Sequence, residues 1–337
     1  MLALPHPDIP PLRGGPTLRW GVLAPGEIAN DFVSTLHANT DQRAVAVASR
    51  SAERAEVFAA KHGIATHYVG YEQLVADPNV DVVYVAAPHS EHRVLALLAI
   101  AAGKHVLIEK PIALNAVEAR EIAAAARAAG VFAMEAMWTR YLPQSSVISQ
   151  LLADGALGEV TLVTVNLGWQ SAFDPNGRGY DPKLGGGTML DAGVYSLWFS
   201  HFVLGAPTSV QAAGILAATG VDAQAVVTLD HGGRAQSMVS TTMLVNTPGL
   251  ATIHGTKAGL DFTRNFVFPA GFTIASGDGR SEWTDDGPQG RDGLAWQAAA
   301  LAGYVHDGRT DSPIHSLDDA IEVMQTIDAV RAQLGAR

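Results

Sequence analysis

The sequence predicts an α/β protein in two parts: a parallel α/β domain, followed by an α+β domain with an open, mainly antiparallel sheet. Short apolar runs alternate with helical stretches as far as residue 137, and β-rich runs dominate after it. Apolar strands separated by helices of about 10 to 15 residues are typical of a parallel sheet covered on both faces. A chain of 337 residues is also long enough for about two domains.

Composition limits the class of protein further. Apolar residues make up 48% of the chain and the net charge is −11, so a sizeable core can form and a nucleic-acid or anionic-membrane partner is disfavoured. The absence of cysteine excludes disulfides and thiolate chemistry. We see no signal-like or membrane-spanning run, and expect a soluble, cytoplasmic protein with a flexible, proline-rich leader over residues 1–16.

The first half alternates strand and helix in chain order. The predicted strands are residues 18–24, 44–49, 67–70, 80–88, 105–111 and 131–137, and the main predicted helices follow them, among them residues 52–63, 90–103 and 116–130. Gly63 and Gly103 close two of these helices, where glycine is the usual C-terminal residue.

The turn after the first strand, APGEIA at residues 24–29, approaches the G-x-G-x-x-G/A pattern of dinucleotide sites. Gly26 and Ala29 match the pattern, whereas Ala24 replaces the first glycine. Gly26 would let the backbone approach a pyrophosphate at the helix N-terminus. An ordinary tight turn is the alternative, but the position of this turn at the head of an alternating series favours a dinucleotide.

The end of the second strand indicates which dinucleotide the protein binds. NAD-dependent enzymes usually carry Asp or Glu there for the ribose 2′-hydroxyl. This chain has Ser49, Arg50 and Ser51, with Arg54 one turn later. Guanidinium and hydroxyl groups suit a 2′-phosphate, so we favour NADP over NAD, with a solvated arginine pair as the alternative.

The second half is rich in strands. They are predicted at residues 159–169, 208–216, 223–230, 234–244, 250–256, 260–264 and 271–276, with a hairpin turn at DHGGR. One face of such a sheet packs on helices and the other needs cover, so we expect a homo-oligomer, a dimer or tetramer, formed through it. An amphipathic C-terminal helix begins at Ser316, which forms a capping pair with Asp319.

Two stretches carry candidate chemistry. VLIEKPIAL, residues 106–114, breaks from an apolar strand into Glu109, Lys110 and Pro111, which puts a cation at a strand end where such sheets bind ligands. GGGTMLDAGVYSLWF, residues 185–199, sets three glycines before a helix with Asp191 and Tyr195 one turn apart on one face. Taken alone, the second stretch is better explained by a surface Asp and a core Tyr on an ordinary helix.

Together with WGVLAPGEIA, VAAPHSEH, GKHVLIEKPIALN and EAMWTRYLP, these stretches resemble the glucose–fructose oxidoreductase / inositol dehydrogenase (Gfo/Idh/MocA) family of NAD(P)-dependent enzymes. The resemblance covers nearly the whole chain after the leader. EAMWTRYLP and DAGVY look most similar to dimeric dihydrodiol dehydrogenases and NADP-dependent pentose dehydrogenases. The resemblance implies a Rossmann NADP-binding domain over residues 17–137 and a substrate-binding and dimerisation domain over residues 138–337.

The resemblance also implies roles for individual residues. Lys110 would be the catalytic lysine, aimed by a Pro111 that is often cis in relatives; Tyr195 would hold the acid/base position, and Asp191 would match the acid before it. The residues expected to line the cofactor are Ala24, Gly26, Glu27, Ile28, Ser49, Arg50, Arg54, Ala87, Pro88, His92, Glu109, Lys110, Trp138 and Arg140. Those expected to contact the substrate are Trp138, Trp169, Phe173 and Tyr195; for Trp169, Phe173 and Tyr180 a place in the core or an interface is an equal alternative.

The expected reaction is hydride transfer between NADP(H) and a hydroxyl or carbonyl carbon of a sugar or cyclic polyol. A free tyrosine has a pKa of about 10, and a nearby lysine ammonium lowers that value and stabilises alkoxide character on the substrate. The sequence leaves open whether Tyr195 or Lys110 accepts the proton; we favour Tyr195, with Glu109 supporting Lys110.

Two alternatives remain at this point: a trans-dihydrodiol dehydrogenase, and a non-catalytic NADP-binding sensor on the same fold. The retention of both Lys110 and Tyr195 argues against the sensor. We predict no metal site, since His89 and His92 lack a third ligand. His92 is expected to line the cofactor side of the cleft, with a plain helix-start residue as the alternative.

Overall fold

A computed structural model describes residues 4–337, which form two compact units. The parallel-sheet unit comprises Ile9–Tyr141 and Pro288–Ile321, and the open-sheet unit comprises residues 4–8, Leu142–Gly287 and Glu322–Arg337. The sequence predicts a single continuous second domain from residue 138, whereas the chain leaves the open-sheet unit at Pro288 and re-enters it at Glu322. Residues 1–3 of the expected leader lie outside the described residues.

The elements follow the alternation read from the sequence. The strands are β1 (Arg19–Leu23), β2 (Arg43–Ser49), β3 (Thr66–Val69), β4 (Val82–Val85), β5 (His105–Glu109), β6 (Ala133–Ala136), β7 (Val160–Gly168), β8 (Ser209–Leu216), β9 (Asp222–Asp230), β10 (Gln236–Thr242), β11 (Ala251–Gly255), β12 (Ala258–Phe262), β13 (Phe272–Ser276) and β14 (Gly279–Trp283). The α-helices are α1 (Glu27–Asn39), α2 (Ala52–His62), α3 (Glu72–Val75), α4 (His92–Ala101), α5 (Ala116–Ala129), α6 (Pro143–Ala153), α7 (Val194–Leu204), α8 (Ala295–His306) and α9 (Leu317–Leu334).

The parallel-sheet unit contains a six-stranded sheet in the order β3-β2-β1-β4-β5-β6, with every pair parallel. The order reverses between β1 and β4, the switch point at which doubly wound sheets bind ligands. Leu23 pairs with Val85, and Val85 with Ile108, so the carboxyl ends of β1, β4 and β5 are level. At about 4.8 Å per strand, the turn after β5 lies on the order of 10 Å from the turn after β1.

Aromatic packing fixes α1 against this sheet. The Phe32 ring lies between Trp20 of β1 and Tyr84 of β4, with ring centroids 5.2 Å and 4.2 Å away. All three side chains are fully buried. Since α1 begins at the turn after β1, this contact also holds the helix N-terminus at the switch point.

The open-sheet unit contains an eight-stranded sheet in the order β14-β13-β12-β11-β7-β10-β9-β8. Only β7 and β10 pair in parallel, and the hairpin between β9 and β10 turns through Gly232 and Gly233, both at positive φ. The edge strand β14 is absent from the sequence prediction, because GRSEW is short and polar. A π-helix over Met189–Gly193 precedes α7, which packs on β7 and β10.

The last helix begins as the sequence predicts. The Asp319 carboxylate accepts the Ser316 N–H at 2.7 Å, and the Ser316 hydroxyl accepts the Asp319 N–H at 3.1 Å. This reciprocal pair is a capping box. Within residues 4–337, no helix combines the length and apolar character that crossing a membrane requires.

Candidate active site

The turn after β1 keeps the geometry of a glycine-rich loop although its first glycine is missing. Ala24 has φ of +62°, and among residues 4–337 it is the one non-glycine residue at positive φ. This conformation costs an L-residue on the order of 1–2 kcal/mol. The Ala24 N–H still donates to the Ala48 carbonyl at 3.0 Å, so the turn is held in spite of the methyl group.

Gly26 stands directly before α1 with open space above it. A Cβ atom there would meet nothing closer than the Ala24 carbonyl oxygen at 3.9 Å. Packing within the protein therefore does not require a glycine at this position, whereas a pyrophosphate approaching the helix N-terminus would. Glu27 is exposed and Ile28 half-buried in the same first turn of α1.

The end of β2 gathers hydroxyl and guanidinium groups beside this turn. The Ser51 hydroxyl caps α2 by accepting the Arg54 N–H at 3.3 Å, and Ser49 Oγ accepts the Ser51 N–H at 3.2 Å. Arg54 Nη2 donates to the Pro25 carbonyl at 3.3 Å, so this guanidinium reaches the loop after β1. Arg50 is exposed and interacts with Tyr71, whose pKa is raised by burial and lowered in part by the Arg50 charge.

Lys110 is half-buried at the turn after β5, and its peptide bond to Pro111 is cis, as the resemblance implies. The buried Glu109 carboxylate accepts hydrogen bonds from the Tyr84 hydroxyl at 2.5 Å and the Lys110 N–H at 3.2 Å. Burial raises the pKa of Glu109, and the Tyr84 hydrogen bond and the Lys110 charge oppose that rise. Glu109 thus holds the backbone at Lys110.

His92 is fully buried and sits between two backbone carbonyls. Its Nδ1 lies 2.7 Å from the Pro111 oxygen, and its Nε2 lies 2.9 Å from the Ala87 oxygen. Burial lowers the pKa of His92, against the effect of the two carbonyls. His92 thus links the loop of Ala87 and Pro88 to the Lys110 turn.

Trp138 and Arg140 are also buried within the parallel-sheet unit. Arg140 Nε donates to the Ile314 carbonyl at 2.9 Å, and burial lowers the pKa of this guanidinium. The Arg291 guanidinium lies 6.0 Å from the centre of the Trp138 ring. Arg140 therefore anchors the returning segment Pro288–Ile321, in addition to any part in cofactor binding.

Tyr195 lies in the open-sheet unit, in the first turn of α7. The sequence places Asp191 and Tyr195 one α-helical turn apart, but Asp191 lies in the π-helix, so that spacing does not apply. Single π-turns within helices are frequent at functional sites. A Cβ atom on Gly193 would come within 2.9 Å of the Met189 methyl group, so the end of the Met189 side chain would have to move for a larger residue to fit.

A buried carboxylate holds the start of this π-helix. Asp222 of β9 is fully buried and accepts the Met189 N–H at 2.6 Å. Burial raises the pKa of Asp222 to about 6. A Cβ atom on Gly187 would lie 2.4 Å from Asp222 Oδ1, so the glycine at position 187 makes room for this side chain.

Asp191 is paired with a residue that the sequence analysis did not identify. Arg178 Nη1 and Nη2 lie 3.4 Å and 3.3 Å from the two Asp191 carboxylate oxygens. The Asp191 side chain is 13% exposed and that of Arg178 54%. A carboxylate held by a guanidinium is stabilised in its charged form, which suits it to orienting a neighbour.

The aromatic residues of the preceding loop have different environments. Tyr180 is 4% exposed and packs with Val221 and Met243, so it belongs to the core. Phe173 is 55% exposed and meets Tyr180 edge-on at 5.0 Å. Trp169 is half-buried. Of the expected substrate contacts in this loop, Phe173 and Trp169 keep accessible surface.

Several supporting residues are missing from the sequence analysis. They are Tyr84, Glu135, Arg178, Asp222 and His315. Glu135 interrupts an apolar strand, and a charge inside such a strand is a usable signal of a buried partner. Arg178 and His315 lie in loops whose partners are distant in sequence, so no local pattern indicates them.

Comparison with known proteins agrees with this architecture. The model of an oxidoreductase family with an NAD-binding Rossmann fold matches residues 18–137, and the model of the GFO/IDH/MocA C-terminal domain matches residues 146–261. A trans-1,2-dihydrobenzene-1,2-diol dehydrogenase from Xenopus laevis is 37% identical over 330 residues, covering 94% of this chain and 98% of the relative.

Solved structures show the same fold. A 3-ketoreductase from Actinomadura kijaniata, in complex with NADP and TDP-benzene, is similar with a TM-score of 0.81 and 25% identity, over 94% of this chain and 98% of its own. Variants of that enzyme with a lysine replaced by alanine and a tyrosine replaced by phenylalanine have also been solved. An aldose–aldose oxidoreductase from Caulobacter crescentus, complexed with glycerol, is similar with a TM-score of 0.85 and 24% identity, over 94% and 97%.

These matches confirm the predicted order of a Rossmann domain and an open-sheet domain, and the prediction of a nicotinamide-dependent oxidoreductase. They span both units of the chain. The protein belongs to the GFO/IDH/MocA family of oxidoreductases.

Proposed function

We propose that this protein is an NADP-dependent dehydrogenase or reductase that acts on a CH–OH group of a sugar or other cyclic polyol. The observation that best supports the proposal is the Lys110 turn. It follows β5, level with the turn of Ala24 and Gly26 after β1, and Glu109 and His92 hold its backbone. A half-buried ammonium beside the switch point suits a reaction in which negative charge develops on a substrate oxygen.

The proposed reaction assigns separate roles to Lys110, Tyr195 and Asp191. The bound nicotinamide would accept or return the hydride. Tyr195 would take the hydroxyl proton, and the Lys110 ammonium would lower the pKa of the phenol and stabilise the alkoxide. Asp191, held by Arg178, would orient this group. Phe173 and Trp169 would offer aromatic surface to the substrate ring.

We propose NADP as the cofactor because the end of β2 offers cations where NAD-dependent enzymes usually have an acid. Arg50 is exposed there, and Arg54 reaches the Pro25 carbonyl. Arg50→Asp should weaken NADP binding by about 10- to 100-fold, since a charge-assisted contact is worth about 1.5–3 kcal/mol. NAD binding should weaken much less. Arg120→Asp, on the exposed face of α5, is the matched control, and an unchanged NADP/NAD ratio in Arg50→Asp would contradict the assignment.

A trans-dihydrodiol is the second candidate substrate. It is favoured by the relative named as a trans-1,2-dihydrobenzene-1,2-diol dehydrogenase, at 37% identity. Such a compound is itself a cyclic vicinal diol, so the same proton and hydride chemistry would apply. The exposed Phe173 ring suits a flat hydrocarbon as well as a sugar face.

Turnover tests the proposal directly. The protein and its Lys110→Ala variant would be incubated with NADP and a panel of aldoses, cyclic polyols and trans-dihydrodiols, and reduced nicotinamide would be followed by absorbance. We expect turnover of at least one class by the wild-type protein only. Tight NADP binding without turnover of any class would instead favour a non-catalytic sensor.

We also propose a homo-oligomer formed through the open sheet. Its strands carry exposed apolar side chains, including Met238 (54% exposed), Val226 (51%) and Ile215 (51%). The cross-strand register brings Val226 opposite Ser240, Met238 opposite Thr228 and Ile215 opposite Gln224, so the three apolar side chains lie on the same face of the sheet. A contiguous apolar surface on a sheet is typical of a protein–protein interface.

A further inference from the structure

The turn that carries Lys110 is tied to the chain segment that returns to the parallel-sheet unit. The Ile112 N–H, two residues after Lys110, donates to Glu135 Oε1 at 2.8 Å. Glu135 belongs to β6, next to β5, where it pairs with Ile108. A side chain of the neighbouring strand therefore holds the far side of the turn, while Glu109 and His92 hold the near side.

The second oxygen of Glu135 meets a histidine from a distant part of the sequence. Glu135 Oε2 lies 2.8 Å from His315 Nε2, and the two side chains are 1% and 3% exposed. With no solvent at this pair, each group depends on the other for its hydrogen bond. Removing one partner would leave the facing polar atom of the other buried without its hydrogen bond, which costs about 1–3 kcal/mol.

His315 is itself held by the returning segment. Its N–H donates to Ser312 Oγ at 3.2 Å, and the Tyr141 hydroxyl donates to the same oxygen at 2.9 Å. The Thr310 carbonyl accepts the Ala133 N–H at the edge of β6. The segment around residues 310–315 thus runs along the last strand of the sheet and supports His315 from behind.

We propose that Glu135, braced by His315, is a positioning residue for Lys110. It fixes the Ile112 N–H and hence the backbone from which the Lys110 side chain extends. The reason for a carboxylate inside an apolar strand is then functional, because an apolar residue of similar size would pack there without holding the turn. The inference rests on the proposed catalytic role of Lys110.

The matched pair of variants is Glu135→Leu and Gln42→Leu. Gln42 is also buried in the parallel-sheet unit, and its side-chain oxygen accepts the Leu18 N–H at 2.8 Å, but it lies near the start of β1, at the other end of the sheet. Both changes remove a buried acceptor from a backbone N–H. Glu135→Leu alone should lower kcat, by about 100-fold, as expected for a misplacement on the order of 1 Å. The Kd for NADPH should stay within about threefold in both, since neither change removes a group that binds the dinucleotide phosphates.

Two further variants separate positioning from stability. Glu135→Gln keeps an oxygen for Ile112 and a polar contact for His315, and should restore most of kcat. His315→Leu keeps the Glu135–Ile112 bond but removes its brace, and should lower kcat by about tenfold. If Glu135→Leu does not fold, the kcat of His315→Leu decides whether the Glu135–His315 pair positions Lys110.

A readout independent of turnover is the rate at which Lys110 reacts with a trace amine-directed acylating reagent, measured by mass spectrometry. Glu135→Leu should speed the labelling of Lys110, because a released turn exposes its half-buried side chain, while labelling of the exposed Lys61 stays constant. Unchanged kcat and labelling, or parallel losses in Gln42→Leu, would overturn the inference. If Lys110→Ala turned over substrate like the wild type, the proposed function would fail instead, and labelling alone would decide the role of Glu135.

Discussion

Ala24 shows how one residue departs from a motif without changing the backbone the motif requires. The first glycine of a dinucleotide fingerprint makes a tight turn. Ala24 makes the same turn at φ of +62° and keeps its hydrogen bond to Ala48. The conformational cost is local, and the space above Gly26, where a pyrophosphate would lie, remains open.

Ala24→Gly should therefore stabilise the protein. Relief of the positive φ stabilises the folded state by about 1–2 kcal/mol. The greater conformational freedom of glycine in the unfolded chain offsets about half of that stabilisation. We expect a net gain of up to about 1 kcal/mol, measured by the midpoint and slope of denaturant unfolding. Ala46→Gly, in the buried strand β2, is the control and should destabilise. A loss of stability in Ala24→Gly would contradict the strain argument.

Individual residues also show which parts of the candidate site can be predicted from the sequence. Lys110, Gly26, Arg50 and Tyr195 stand out because residues of these types fall at strand or helix ends in a recognisable order. Arg178 and His315 do not, because their partners Asp191 and Glu135 are brought to them only by the folded chain. Their roles depend on long-range contacts that no local spacing encodes.

At the level of elements, the π-helix of Met189–Gly193 changes the relative positions of Asp191 and Tyr195 in the DAGVY stretch. An α-helical spacing would put Asp191 and Tyr195 in line, whereas the wider π-turn shifts them around the axis. The buried Asp222 accepts the Met189 N–H at the head of this turn. A strand residue thus sets the start of the helix that carries the proposed acid/base.

The buried Asp222 should make stability depend on pH. Its folded pKa, about 6, lies above the ordinary value for Asp, so its stabilising contribution is complete below about pH 4 and is lost as the pH rises through about 6. Asp222→Asn cannot ionise. The free energy of unfolding of this variant minus that of the wild type should therefore rise by up to about 3 kcal/mol between pH 4 and pH 7, because only the wild type loses stability over this range.

Denaturant unfolding at a series of pH values would measure this difference. Asp154→Asn, at an exposed position just after α6, is the control and should show no such trend. If the difference between Asp222→Asn and wild type were the same at pH 4 and pH 7, Asp222 would not be titrating in the folded state as described here.

At the scale of the whole molecule, the apolar strands and glycine-closed helices were sufficient to predict the parallel sheet, and the alternating runs predicted most of the open sheet. The return of Pro288–Ile321 to the parallel-sheet unit was not predicted. Its helix α8 is apolar on nearly all sides, with no amphipathic pattern to suggest which unit it packs on. Contacts such as Tyr141–Ser312 and Glu135–His315 decide that placement.

The proposed oligomer can be tested on the exposed sheet surface. Met238→Glu places a charge in the apolar patch and should convert the wild-type oligomer to a monomer, because an unpaired charge in an interface is disfavoured. Sedimentation velocity would measure the mass. Val57→Glu, at an equally exposed position on α2 (61% exposed), should leave it unchanged. A wild-type monomer, or an unaffected mass in Met238→Glu, would contradict the proposal.

The central proposal is that Lys110 and Tyr195 both act on a single substrate hydroxyl. The most direct test is a double-mutant cycle on the single-turnover rate of hydride transfer, with Lys110→Ala, Tyr195→Phe and the double variant, each saturated with NADP. Each single change should lower the rate by at least about 100-fold, and the double variant should be no more than about tenfold slower than the worse single one. Losses that multiply in the double variant, or a full rate in Tyr195→Phe, would contradict the account.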